Sequence, residues 1–421
     1  MGDVKIDDPG VKLIMSLLPS KTIKQGYVFR LPAGEYIVTK PMVIPEGYSL
    51  TGVGVMIFDS DGFPVGFDKP NLQPHRPQPP KTVLRADPNL VGDMLTLRDG
   101  AHIAGLRIED QPGRSGNLVV ISSRKPGDSV AAVVEECELI NPNPSGADLE
   151  TGPTGRAVLV ITRNLNRGAV PAPDEGSIIS LTLRRSRIRS RAGGTGVFAT
   201  NFAARSQVTL RLRDNVIGGG LDAQGGVSRT DTVADSTTLI ISEHNRYRAD
   251  WIPAKGIGWS LHGGTNPPPL LFAVPGVTTN DNQLVMDSSN DQIVGFAVGV
   301  HAAAAWCPYA VTGRTSRNRL RLGLSNILFE CTVADVELFG AKSGLPPAAG
   351  GPAPASFRAG DNNSLVVTAQ SGTASGVRAN VYADTYLIGG TLAAKDRGTG
   401  NRLRIGGVTP FNPPPPAAFK L

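Results

Sequence analysis

Aromatic side chains are scarce, 5% of 421 residues, with only 3 Trp. A core built from this chain must therefore be aliphatic, made of Val, Leu, Ile and Ala. Cysteine is scarce too. Cys137, Cys307 and Cys331 lie far apart and show no C-x-x-C spacing, which excludes a legible zinc site or disulfide framework. Cys137 and Cys331 sit in strand-like stretches and are expected to pack as small hydrophobes. No apolar run approaches the length of a transmembrane helix. The start, Met1-Gly2-Asp3-Val4-Lys5, lacks the long apolar stretch of a signal peptide. The expected location is the cytoplasm as written, or outside it if a leader has been removed. The Gly-rich turn at 218–226 lacks the G-K-[ST] ending of a phosphate loop.

Glycine and proline are plentiful, 50 and 34 residues, too unevenly spread for collagen or disorder and too many for a helical enzyme. Cations exceed anions, 42 to 36, and Arg dominates them. A mildly basic, Arg-rich surface suits an anionic partner, because the guanidinium fork matches carboxylate and sulfate geometry.

One helix is expected, over 7–17, capped by Asp7 or Asp8 with Pro9 in its first turn. It would cover the open end of a solenoid. From residue 27 the period changes to very short strands between Pro/Gly turns. The unit Val208-Thr209-Leu210-Arg211-Leu212 follows Ile179-Ser180-Leu181-Thr182-Leu183 by 29 residues and precedes Thr238-Leu239-Ile240-Ile241-Ser242 by 30. Later copies open at Asn282, Asn318, Asn363 and Asn401, with spacings of 36, 45 and 38. A second strand recurs behind Gly at Gly155, Gly196, Gly258 and Gly295. Repeats of this size with variable insertions and no helical crossover predict a solenoid. The fold expected is all-β, a single right-handed parallel β-helix with an N-terminal capping helix. Its parts are a cap at 1–21, a β-helix at 22–410 with an insertion at 344–356, and a Pro-rich tail at 411–421.

Residues 27–108 carry a more particular pattern. Leu31-Pro32-Ala33-Gly34-Glu35-Tyr36-Ile37-Val38 leads to Val43-Ile44-Pro45-Glu46-Gly47-Tyr48-Ser49-Leu50-Thr51-Gly52-Val53-Gly54. Thr82-Val83-Leu84-Arg85-Ala86, Met94-Leu95-Thr96-Leu97 and Ala101-His102-Ile103-Ala104-Gly105-Leu106-Arg107-Ile108 follow. This stretch resembles the N-terminal coils of the pectin-lyase-like superfamily of parallel β-helix proteins, and the likeness runs in weaker form to about residue 408. The resemblance implies the fold. It is compatible with polysaccharide lyases, glycoside hydrolases, epimerases, esterases, tailspikes and non-enzymatic proteins. The paired-Asp and Gly-His-Gly motif of polygalacturonases, the Arg-x-Pro-x-x-Arg segment of pectate lyases and the Asp-Pro-His-Asp of alginate epimerases are absent.

Aligning the Gly-introduced strands brings Arg163, Asn201, His262 and His301 to strand ends, with Arg229 and Asp231 in an intervening coil. A lyase needs a base for the proton α to a uronate carboxylate and a cation to neutralise that carboxylate. His262, His301 and Asp231 are the proton-moving candidates, and Arg163 and Arg229 the neutralising ones. Strand-end hydrogen bonding to neighbouring turns is the competing role for each. Trp251, Trp259 and Trp306 gather in one segment with Tyr247 and Tyr309 beside it. Tyr247, Trp259 and Trp306 are the sugar-stacking candidates, against plain core packing. Asn215 and Asn245 hold the same place in two repeats and predict an amide ladder. Arg185, Arg187, Arg189 and Arg191 predict a basic stripe on one strand face. No cofactor is required by these residues. Calcium is admissible if Asp214, Asp222, Asp231 and Asp235 meet.

The leading functional expectation is an enzyme acting on an acidic, uronate-containing polysaccharide by β-elimination, its groove lined by 229–309. The partner expected is that polysaccharide or another anionic ligand, with neither nucleic acid nor a membrane span. The alternatives are a non-catalytic glycan- or surface-binding β-helix and a small-molecule isomerase or cyclase on the same scaffold.

Overall fold

A computed structural model describes residues 4–5, 26–68, 78–143, 155–162, 176–190, 195–228, 232–249, 256–265, 278–307, 315–343, 360–369, 379–382, 386–387 and 400–407. Every strand pairing among the long sheets is parallel, and each sheet takes one strand from each coil. The result is a parallel β-helix. In each coil the chain passes through sheet A, then sheet C, then sheet B. One coil, for instance, contains Arg187–Ser190 in A, Val197–Thr200 in C and Gln207–Arg213 in B. No helix occurs among the described residues, and the helix expected over 7–17 lies outside them. Val4–Lys5 adds a strand to the end of sheet A against Tyr36 and Ile37. The insertion at 344–356 and the tail at 411–421 also lie outside the described residues.

Strand periodicity decides the core. Alternate residues point inward, and equivalent residues of successive coils stack about 4.8 Å apart. One inward column of sheet A runs Tyr36, Leu84, Ile108, Leu139, Ile188, Ile217, Tyr247, Ile293 and Phe329. One of sheet C runs Leu95, Val119, Val158, Val197, Leu221, Trp259, Val300 and Val336. Each fully buried Leu, Ile or Val contributes about 1.5–3 kcal/mol. Cys137 packs in this core, and burial pushes its thiol up to about 12.

The corners repeat as faithfully as the strands. Between B and A one residue takes positive φ, as at Asp214, His244 and Asn290, and the next side chain turns inward. These inward residues form a ladder. Ser186 N–H donates to Asn215 Oδ1 (3.0 Å), Asn215 Nδ2 to Asn245 Oδ1 (2.8 Å), and Asn245 N–H to Asp291 Oδ1 (2.6 Å). The ladder expected of Asn215 and Asn245 is present. A second ladder at the C–B corner joins Ser236, Asn282, Asn318, Asn363 and Asn401 through backbone N–H to side-chain Oδ1 bonds of 2.9–3.0 Å. At the A–C corner the column is Gly196, Gly220, Gly258 and Gly299. A Cβ there would drive into a carbonyl of the next coil, so only glycine fits.

Residues 52–68 leave sheet B after Ser49–Thr51 and lie along the outer face of sheet A. They include the hairpin of Ile57–Phe58 with Pro64–Gly66. Asp68 pairs with Arg107 (2.7 Å) and with Lys81. Arg187 donates to the Val65 carbonyl, and the Arg185 guanidinium lies 4.8 Å over Phe58. Phe63 is fully buried, stacked on His244 at 4.5 Å with Arg246 at 4.1 Å. From Arg107 to Arg246 the clasp crosses four register steps, about 19 Å.

The basic stripe expected of Arg185, Arg187, Arg189 and Arg191 is only partly present, since Arg187 and Arg189 share the outward face of Arg187–Ser190. Arg185 sits at a corner with positive φ, so it leaves the strand face. Arg187 is engaged by the clasp and by Glu138, and Arg191 lies outside the described residues.

Candidate functional site

The outer face of sheet C changes character along the helix. Its outward columns begin apolar, with Val120, Leu159, Ile161 and Phe198 packed with Phe202 and Val227. They then turn ionisable. One column runs Phe198, Asp222, Ser260, His301 and Glu337, and its neighbour runs Thr200, Gln224, His262, Ala303 and Phe339. The glycine corner explains the placement. The residue two after each corner glycine points outward, as in Gly220-Leu221-Asp222, Gly258-Trp259-Ser260 and Gly299-Val300-His301.

His301 Nδ1 lies 3.1 Å from Glu337 Oε2. With an N–H on Nδ1 donated to the carboxylate, Nε2 is left as a base. His262 and His301 lie on adjacent coils but two residues apart in register, so they meet diagonally, edge to face, at 5.8 Å. His262 stacks on Trp306 (4.8 Å, 28°), and His301 lies against Phe339 at 4.9 Å. Both imidazoles are buried although they stand on the outer face, while Glu337 and Trp306 remain partly exposed. Two coils before His301 in the same column stands Asp222. Burial pushes its carboxyl up to about 6, against the opposing pull of the Arg156 guanidinium and a hydrogen bond with Gln224. Arg156 itself lies 4.5 Å over the Phe198 ring. The cluster thus combines a base with its orienting carboxylate, a second imidazole, a carboxylic acid, a cation and an aromatic face.

The candidates from sequence fare unequally. His262, His301 and Trp306 come together. Tyr247 and Trp259 are corrected: both are fully buried inside the solenoid, edge to face at 5.2 Å, and present no face to a sugar. Their strands carry inward columns at those positions. Asn201 is corrected as well. It is fully buried, and its Nδ2 donates to Gly225 O (2.9 Å), Thr237 O (3.0 Å) and Thr238 Oγ1 (3.0 Å), tying the C–B corner. Arg163, Arg229 and Asp231 lie outside the described residues, as do Trp251 and Tyr309. The three described members of the calcium set do not meet: Asp214 is at a B–A corner, Asp222 on sheet C and Asp235 at a C–B corner. Among the described residues no group of three or more His, Cys, Asp or Glu is disposed to hold a metal ion. Glu337, Phe339, Gln224 and Arg156 were not anticipated. For Glu337 the signal is the corner pattern, weakened because Asp335 stands where earlier coils have glycine.

No protein-family model matches the chain, and no curated protein does. Among solved structures the chain is similar to full-length tailspike protein 2 of Escherichia coli O157:H7 bacteriophage CAB120, at 11% identity and a TM-score of 0.39. That likeness covers 90% of this chain and 42% of the tailspike, so the chain spans less than half its length. It is also similar to a PL6 alginate lyase in complex with a trisaccharide, at 8% identity and a TM-score of 0.20, covering 83% of this chain and 89% of the lyase.

Proposed function

We propose that this chain is a carbohydrate-active enzyme of the pectin-lyase-like kind that cleaves a uronate-containing polysaccharide by β-elimination, with His301 as its base. The observation that carries the reading is the His301–Glu337 pair on the outer face of sheet C, 3.1 Å apart, beside a second imidazole and Trp306. Elimination needs one group to take the proton α to the uronate carboxylate and one to protonate the departing oxygen. His301 Nε2 takes the first proton, and Glu337 stabilises the imidazolium that forms. Asp222 supplies the second while it remains protonated, below about pH 6. Arg163 and Arg229 remain the candidates to answer the negative charge that grows on the reacting sugar, while Arg156, four register steps or about 19 Å from His301, can meet only a neighbouring one. Trp306 offers an aromatic face to a sugar ring.

Hydrolysis by two carboxyl groups fits less well. Asp222 and Glu337 stand three register steps apart, about 14 Å between backbones, and Glu337 is already engaged by His301.

The test is incubation with polygalacturonate, alginate and related uronate polymers, following ultraviolet-absorbing unsaturated products. His301→Ala is expected to lower kcat by roughly 10²–10⁴-fold. Glu337→Gln also lowers it, because an amide no longer fixes the imidazole. The rate falls as pH rises through about 6, where Asp222 loses its proton. Absence of absorbing product from every uronate polymer, or an unchanged kcat in His301→Ala, overturns the reading.

A further inference from the structure

We propose that the outer face of sheet B, towards the C-terminal end of the described coils, is a second binding surface, which holds a linear acidic polysaccharide through four arginines. Arg319 and Arg321 stand in the strand Arg319–Ser325, and Arg402 and Arg404 in Arg402–Gly407. Between them runs Ser364–Ala369, whose register gives two columns, Arg319–Ser364–Arg402 and Arg321–Val366–Arg404. The arginines therefore mark a rectangle about 10 Å along the helix axis and about 7 Å along the strand.

All four are exposed, and none makes a close ion pair or hydrogen bond with a described residue, although the Arg319 charge is felt by the Asp281 carboxylate, which is itself paired with Arg317. The contrast with arginines elsewhere is direct. Arg107 pairs with Asp68, Arg184 with Glu135, Arg246 with Asp59 and Arg317 with Asp281. The outward positions between the four cations are Ser364, Val366 and Thr368, with Gly323 and Ser325 beside them, so these outward positions carry no acid. Asp287 stands on the preceding strand, opposite Gly323 and one column over from Arg321. Arg319 and Arg321 are closer than the physiological screening length of about 8 Å, so their mutual repulsion is only partly screened. A polyanion relieves it, and each guanidinium can grip a carboxylate by two parallel N–H donors.

Shape and composition favour a polysaccharide over nucleic acid. No aromatic side chain stands outward among these positions, so there is no platform on which bases could stack. A flat sheet face also does not enter a duplex groove as a helix or two-stranded ribbon does. This surface is distinct from the imidazole cluster on sheet C, and the proposal does not rest on the catalytic reading.

The test uses the full chain carrying His301→Ala, so that no probe is cleaved, and measures polygalacturonate binding by calorimetry at low and high salt. Binding at low salt that weakens at high salt is expected. The set Arg319→Ser, Arg321→Ser, Arg402→Ser and Arg404→Ser is expected to lose about tenfold in affinity, the sum of four modest exposed ion pairs. The pair Arg402→Ser and Arg404→Ser alone is expected to fall between. Wild-type-like affinity in the fourfold variant overturns the proposal, as does no binding at low salt. Tighter binding of a single-stranded DNA oligomer, lost in the same variant, overturns it in favour of nucleic acid.

Discussion

Asp291 closes one amide ladder with a carboxyl group sealed in the interior. Its Oδ1 accepts the Asn245 N–H at 2.6 Å, and Ser288 Oγ lies 2.6 Å from its Oδ2. Burial pushes it up to about 6 from an ordinary 3.8, although bonds from Ser242, Ser288 and Asn245 pull the other way. The folded chain thus holds a proton that the unfolded chain has released. The contribution of Asp291 to stability is greatest below about pH 4, falls between about pH 4 and 6, and is level above that. Asp291→Asn keeps the Oδ1 acceptor and has no charge to bury. It is expected to flatten this slope and to exceed the wild type by about 2 kcal/mol at pH 7, read by chemical denaturation at both ends of the range. Trp259 and Trp306 make a second residue-scale contrast. Trp259→Ala empties a core position and is expected to cost about 3–5 kcal/mol. Trp306→Ala, at a partly exposed position, is expected to move Tm little and to raise KM for a uronate polymer.

At the scale of the element, the ladders are where a coil is locked to the next. Asn318 accepts the Asn282 N–H at 3.0 Å and donates to the Thr279 carbonyl at 2.8 Å. Asn318→Ala leaves buried backbone groups without partners and is expected to cost about 3 kcal/mol, measurable as a fall in Tm. The element scale is also where the sequence was most legible. The spacings of 29, 30, 36, 45 and 38 are the spacings of the paired register in sheet B, because inward Leu, Ile and Val must stack in every coil. The direction of a side chain was harder to read. In strands of three or four residues the corner decides which way the alternation starts, and a corner is a backbone conformation. Tyr247 therefore reads as a sugar-stacking candidate, yet it is in line with Ile217 and Ile293. The site was half legible for the same reason. His262, His301 and Trp306 advertise themselves by type, whereas Glu337 is found only once Val300 and Val336 are known to pair.

At the scale of the molecule, a solenoid is close to a sum of neighbouring coils. The clasp at 52–68 departs from that rule by tying an early coil to much later ones. Phe63→Ala removes a fully buried ring from between His244 and Arg246 and is expected to cost about 3 kcal/mol. Proteolysis is expected to show that cost as earlier cutting in the coils beneath the clasp than in the later coils joined through Asn282, Asn318, Asn363 and Asn401. The same contact bears on how the chain is made. Asp59 and Arg246 are 187 residues apart in sequence, yet joined at 2.9 Å. A ribosome adding roughly 5–20 residues each second needs about 10–40 s to cover that distance. For that interval the coils beneath can stack as they emerge, while Phe63 waits in water for its partners to be synthesised.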